Sequence, residues 1–267
     1  MNLRVLCGLL FFPAALTAAQ RAYPGFDRNH YPGDANLKVL RQTFSYAGYW
    51  LNNPPGEKDN TWAGKRPALL SAGFGFLVLF NGRLEKELKH NPAALAQADA
   101  QAAAASARRE GFPPHTIIFL DIEEGGRMLP EQKSYIYTWT DAVVAAGFRA
   151  GVYCSGIPAT EGKTRIVTAN DIRDNAQGRK LAYWVTQDSC PPSPGCVFPR
   201  QPPSPGQSGT DFADIWQFVQ SPRRKDFAAM CHNYNPDGNC YPPGVDPASR
   251  LHVDVNTAAT PDPSSGR

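Results

Sequence analysis

Asp121 and Glu123 are the residues of this chain best suited to do chemistry. They end the run Thr116-Ile-Ile-Phe-Leu-Asp-Ile-Glu123, where a wholly apolar segment stops at two carboxylates spaced i and i+2. Side chains on a β-strand alternate faces, so the two acids point the same way. Apolarity on both faces suits a parallel strand covered on both sides. The carboxyl ends of such strands are where α/β barrels and open α/β sheets hold their active sites. Neighbouring carboxylates resist joint ionisation, so one of them keeps its proton towards neutrality. Cleaving a glycosidic bond needs such an acid to protonate the leaving oxygen, and a second group to support the cationic centre. An acid pair of this kind also serves to cap a loop or to hold a Lys or Arg, so the reading needs support elsewhere.

That support lies at the other predicted strand ends. They carry Gly25-Phe26-Asp27, Tyr49-Trp50, Val152-Tyr153, Tyr183-Trp184, Trp216-Gln217 and His252-Val-Asp254-Val-Asn256. In the last segment His252, Asp254 and Asn256 share one face, which is costly on a buried strand unless it lines a cavity or a hydrogen-bond network. Aromatic faces beside acids fit sugar binding; each aromatic also has a plain reading as core filler. The histidines show no metal-ligand spacing, so no metal and no organic cofactor is expected.

The scaffold that would position these groups is a strand–helix alternation. Strands are predicted at 23–27, 44–51, 74–80, 116–122, 150–153, 181–186, 214–219 and 251–255. Helices are predicted at 35–43, 92–110, 130–146 and 164–175. The second has Asn91 as N-cap, Pro92 in its first turn and Gly111 past its end. Eight strands with intervening helices predict a (β/α)8 TIM-like barrel over residues 20–257. After the sixth strand the rhythm fades into Pro-, Gly- and Ser-rich sequence, which predicts irregular, disulfide-stapled loops in place of the late helices. Residues 258–267, rich in Pro, Ser and Gly, are expected to be disordered.

Residues 1–19 read as a secretory signal: Arg4, a short apolar stretch, then Thr17-Ala18-Ala19 before the expected cleavage at Gln20. Nothing later is long and apolar enough for a transmembrane helix. Removing the leader takes away Arg4 and lowers the formal charge from +3 to +2, and with no basic stripe a nucleic-acid partner is not expected. Cys190, Cys196, Cys231 and Cys240 form two close pairs in sequence, so an exported chain is expected to hold Cys190–Cys196 and Cys231–Cys240 disulfides. A zinc site competes with that reading, although the spacings match no common ligand pattern. Cys154 is left over as a buried thiol. A monomer is expected.

Taken in order, Gly25-Phe-Asp27, Asp121-Ile-Glu123, Gly151-Val-Tyr153, Trp216-Gln217 and Asp254-Val-Asn256 resemble the motifs of family 25 glycoside hydrolases, the Chalaropsis-type lysozymes. The similarity is closer to the secreted bacterial glycoside-hydrolase-like domain related to them, a domain of unknown function. It spans roughly residues 23–257. The resemblance implies a barrel that cleaves peptidoglycan, with Glu123 as proton donor and Asp121 supporting the acetamido group or the developing cation. Asp27 and Asp254 would complete an acidic floor. Tyr153, Trp216, Gln217, Trp184, Trp50 and Asn256 would form the sugar subsite. The sequence departs from the lysozyme opening in having Arg28-Asn29-His30 after Asp27. An idle barrel that binds wall glycan without cutting it is the alternative.

Overall fold

In the computed structural model, which describes residues 21–267, the alternation condenses into β1 (Tyr23–Asp27), α1 (Leu37–Leu40), β2 (Tyr46–Trp50), α2 (Arg66–Ser71), β3 (Gly75–Asn81), α3 (Pro92–Arg109), β4 (Ile117–Asp121) and α4 (Pro130–Ala145). The chain continues through β5 (Arg149–Ser155), the hairpin β6 (Ala159–Glu161) and β7 (Thr164–Ile166), α5 (Thr168–Asp174), β8 (Ala182–Thr186), β9 (Ile215–Val219) and β10 (Asp254–Ala258). The leader expected at 1–19, with Cys7, lies outside the described residues. Among those described, no helix is long and apolar enough to cross a membrane.

Eight strands close a barrel in the order β1-β10-β9-β8-β5-β4-β3-β2. The apolar runs of β3 and β4 are buried along nearly their whole length, as strands covered on both faces must be. The long helices α3 and α4 lie side by side outside them. Buried Ala96, Ala100, Ala103, Ala104 and Ala107 give α3 a flat face for close approach, and Asp99 clamps the pair by accepting bonds from Arg83 and from Tyr135 Oη at 2.7 Å. Asn91 precedes α3 in a left-handed conformation and makes no side-chain cap bond, so Pro92 alone marks that start.

Three sequence expectations are corrected. First, β10 runs antiparallel to both its neighbours, β9 and β1, and begins three residues later than predicted. An antiparallel strand is entered from the end where its predecessor leaves, so no crossover helix is needed. The whole connection from 220 to 253 therefore stays at one end of the barrel. The β8–β9 pair is parallel; its connection must cross, and does so through irregular chain with one short 3₁₀ turn at Pro205–Ser208.

Second, the disulfides are Cys190–Cys231 and Cys196–Cys240, not the sequence-local pairs. They tie the loop after β8 to the loop after β9, two segments without a helix between them to hold them together. Each closes a loop of more than forty residues (separations 41 and 44), which by chain entropy stabilises by about 4 kcal/mol, against ~2–3 for a local pair. Cys154 is free and buried, as expected.

Third, residues 258–267 are ordered and close the bottom of the barrel. Ser264 is fully buried; its Oγ accepts from Val78 N at 2.8 Å and its carbonyl accepts from Ile117 N at 2.8 Å. Asp262 Oδ1 accepts from Phe76 N at 2.8 Å. The start of a strand presents N–H groups that need partners, and this polar tail supplies them. Gly75 leaves it room: a Cβ there would stand 2.7 Å from Asp262 Cα. A chain ending at Thr260 should lose on the order of 3–5 kcal/mol from the exposed donors. Its thermal midpoint, read by circular dichroism, should fall by about 10 °C.

Candidate active site

The parallel strands end together, and β10 begins, at the end of the barrel opposite this tail. Pairing puts Asp121 of β4 level with Tyr153 of β5, and Tyr153 level with Trp184 of β8; across the seam Asp27 of β1 pairs with Asp254 of β10. The result is one cavity of about 110 Å³ lined by Asp27, Asn29, Trp50, Pro55, Leu79, Asp121, Glu123, Tyr153, Trp184, Gln217, Gln220 and Asp254. All four predicted carboxylates are in that wall. Asp254 reaches it only because β10 is reversed, since its position at the start of the strand then falls at the same end as the others' termini.

A hydrogen-bonded floor joins two of the acids. Gln217 Nε2 donates to Asp27 Oδ1 at 3.0 Å and to Asp254 Oδ2 at 3.4 Å, while its Oε1 accepts from Tyr153 Oη at 2.8 Å. Asn256 Nδ2 donates to Asp27 Oδ1 at 2.7 Å, and its own Oδ1 accepts from Trp184 Nε1 at 2.9 Å. Asp254 Oδ1 also accepts from the backbone N–H of Ser221 at 2.6 Å. Glycine at 48 gives Asp27 its space: a Cβ would sit 2.6 Å from the Asp27 Cβ.

Asp121 is different. It is 4% exposed, and among the described residues neither carboxylate oxygen has a hydrogen-bond partner. Burial, then the charges of Glu123 and Asp27, push its pKa well above the carboxylate range. Burial raises Asp27 to about 6 against the opposing bonds from Asn256 and Gln217. Asp254 is also raised well above its ordinary value, by burial and then Asp27, against the Ser221 N–H. Glu123 lies two residues past Asp121, just beyond the end of β4, at the rim and open to solvent on one side. The surrounding protein still raises its pKa, with Asp27 adding and Arg224 opposing. A carboxyl with a raised pKa at a rim, beside other acids, is the arrangement that general-acid chemistry uses.

Two residues assigned to the sugar subsite are placed otherwise. Trp216 precedes inward-facing Gln217 on β9, so alternation turns it away from the cavity; it is fully buried, packs on Phe218 and donates Nε1 to Gln187 O at 2.8 Å. Asn256 lies behind Asp27 and does not reach the cavity wall. Tyr153, Trp184, Trp50 and Gln217 do line it, Trp50 with its Nε1 held by Arg28 O at 3.2 Å. Sequence reasoning missed Asn29 and Gln220. Each is a polar residue two or three positions beyond an inward-facing one, Asp27 or Gln217, which is the signal that would have found it. The loop carrying Glu123 is fixed from behind: Glu124 accepts from Glu85 N at 2.8 Å and from Gln132 Nε2 at 2.8 Å, and Gly126 N donates to Thr168 Oγ1 at 2.8 Å.

The barrel is similar to several solved structures. An uncharacterised B. stearothermophilus protein aligns with a TM-score of 0.56 at 20% identity, covering 88% of this chain and 95% of its own. The Tat-secreted protein Rv2525c of Mycobacterium tuberculosis, in complex with L-tartrate, aligns with a TM-score of 0.52 at 13% identity, covering 91% and 97%. The catalytic domain of endolysin ply40, from bacteriophage P40 of Listeria monocytogenes, aligns more loosely, with a TM-score of 0.49 at 15% identity over 90% and 95%. No curated protein matches the sequence. The sequence profile of the Rv2525c-like, glycoside hydrolase-like domain matches residues 43–198. That match spans more than half of the chain, and the protein therefore belongs to the Rv2525c-like, glycoside hydrolase-like domain family.

Proposed function

We propose that this domain is an exported glycoside hydrolase acting on an N-acetylated glycan, peptidoglycan in the first instance. The observation that carries the reading is the convergence of Asp27, Asp121, Glu123 and Asp254 on one cavity, with every pKa displaced upward. Glu123, at the rim, is the proton donor to the leaving oxygen. Asp121, whose two oxygens have no partner among the described residues, meets an acetamido N–H or the positive charge developing at the sugar. Tyr153 and Gln217 hold the floor, and Trp50 and Trp184 give it aromatic walls. No metal or organic cofactor enters this scheme. Membership of a glycoside-hydrolase-like family supports it, and two disulfides with a leader-like segment at 1–19 support export.

One observation favours a second reading, a barrel that binds wall glycan without cutting it. A cavity of about 110 Å³ is below the usual range of ligand pockets, roughly 300–1,000 Å³. Incubation with purified peptidoglycan and with chitin oligomers separates the two. Release of new reducing ends is the expected result. Saturable binding to the wall with no release would establish the binder instead.

A further inference from the structure

The stapled loops hold a cation, Arg224, beside the acid site. Arg224 Nε lies 3.0 Å from the Asp188 carboxylate and donates to Gln220 Oε1 at 2.9 Å. Asp188 is 2% exposed and stands two residues before Cys190; Cys231 Sγ, in the same disulfide, is 3.4 Å from its carbonyl oxygen. Gln220 belongs to the cavity wall and donates on to Tyr153 Oη and Gln217 Oε1, both at 3.3 Å. One nitrogen of the guanidinium is thus tied to the stapled loop and to the acid site at once. Among the described residues Nη1 and Nη2 make no hydrogen bond, and the side chain is 39% exposed. Its charge reaches Glu123, opposing the rise in that carboxyl's pKa.

A guanidinium presenting two free N–H edges takes a carboxylate or a phosphate bidentately, and on the N-acetylated glycan proposed as substrate the carboxylate is the anion at hand. Among the described residues none of the site's own acids fills that role: Asp27 and Asp254 are bonded by Gln217, Asn256 and Ser221, Asp121 and Glu123 make no hydrogen bond or ion pair with Arg224, and the carboxylate it does pair with is Asp188. A neutral sugar polymer brings no anion either. Resting on the glycosidase reading, we propose that Arg224 is a specificity-determining residue that binds a free carboxylate on the saccharide beside the scissile bond, making the preferred substrate an acidic N-acetylated glycan. In peptidoglycan the lactyl ether of muramic acid supplies that group. Its carboxyl is an amide where a peptide stem is attached and a free carboxylate where the stem has been removed. The enzyme should accordingly favour stem-free stretches.

The test compares kcat/KM for reducing-end release from three substrates: stem-bearing peptidoglycan, the same material stripped of stems by an amidase, and chitin oligomers. Wild type should favour the stripped glycan over the other two by roughly tenfold or more. Arg224→Gln should lose that preference, chiefly through KM. Arg224→Lys keeps a partner for buried Asp188 and so guards against misfolding; it should lose the preference too, because an ammonium held by Asp188 lacks the planar two-N–H edge that takes a carboxylate bidentately. Arg223→Gln, at a residue turned towards Cys231 O and the Tyr234 ring, should keep it. A calorimetric titration with N-acetylmuramic acid and N-acetylglucosamine reads the same contact without catalysis, and wild type should bind the acid more tightly by a margin that Arg224→Gln removes. Equal binding of the two sugars overturns the proposal, as does a substrate preference that survives in both Arg224 variants. Absence of cleavage on all three substrates, with the binding difference intact, would sink the hydrolase reading and leave the carboxylate site standing.

Discussion

Glu123→Gln should lower kcat for peptidoglycan by on the order of 10³, within the range that a positioned general acid supplies. The leaving group in a glycan is a sugar hydroxyl, a poor one unless it is protonated as the bond breaks. Glutamine keeps the shape of the side chain and removes that proton. Because Glu123 stands at the rim and makes no hydrogen bond that holds the fold, the variant's thermal midpoint should stay close to wild type. A chemical control isolates the role: a nitrophenyl glycoside departs as a stable phenolate and needs no acid, so Glu123→Gln should lose far less on that substrate. Equal losses on both would remove Glu123 from the donor role.

Asp27→Asn should stabilise the protein near neutrality. Asp27 is 6% exposed and its pKa is raised from 3.8 to about 6. A group whose pKa is raised on folding binds its proton more tightly in the folded state. Its contribution is present below the unfolded pKa and is lost as pH climbs through about 6. The interval corresponds to about 3 kcal/mol. Asparagine cannot ionise, and its Oδ1 still accepts from Gln217 and Asn256, so the loss disappears. Calorimetry at pH 7.5 should find the variant more stable, by roughly 6–12 °C in midpoint, and at pH 4 no more stable than wild type. Greater instability at both values would mean that the carboxylate's bonds outweigh its desolvation. Catalysis should suffer in the same variant, as expected where a site is kept at the expense of stability.

The fold was readable because its strands obey local rules. Runs such as 74–80 and 116–122 are apolar on both faces, and Pro92 and Pro130 start the long helices where their ring is tolerated. Strand direction leaves no such mark. A five-residue segment such as Asp254–Ala258 has the same alternation whichever way it runs, and only the loop before it reveals that it need not cross the barrel. The Cys pairing failed for a related reason: proximity in sequence suggested local staples, whereas the loops needed a link to each other. At the site, alternation alone would have separated Gln217 from Trp216, since adjacent residues on a strand cannot both face a cavity. The tail was misread because a segment rich in Pro, Ser and Gly promotes disorder, although here Asp262 and Ser264 answer the backbone donors of Phe76 and Val78.

The reversed last strand has a practical corollary. β1 starts, and β10 finishes, at the same end of the barrel, with Tyr23 paired to Ala258. The acid-lined mouth is at the other end. A tether joined at Arg21 or at Arg267, where the described residues begin and end, therefore approaches from the far side, and a protein held there on a bead, a sensor chip or a cell surface has its mouth turned outward. An insoluble polymer presented to such a surface would meet the acids first.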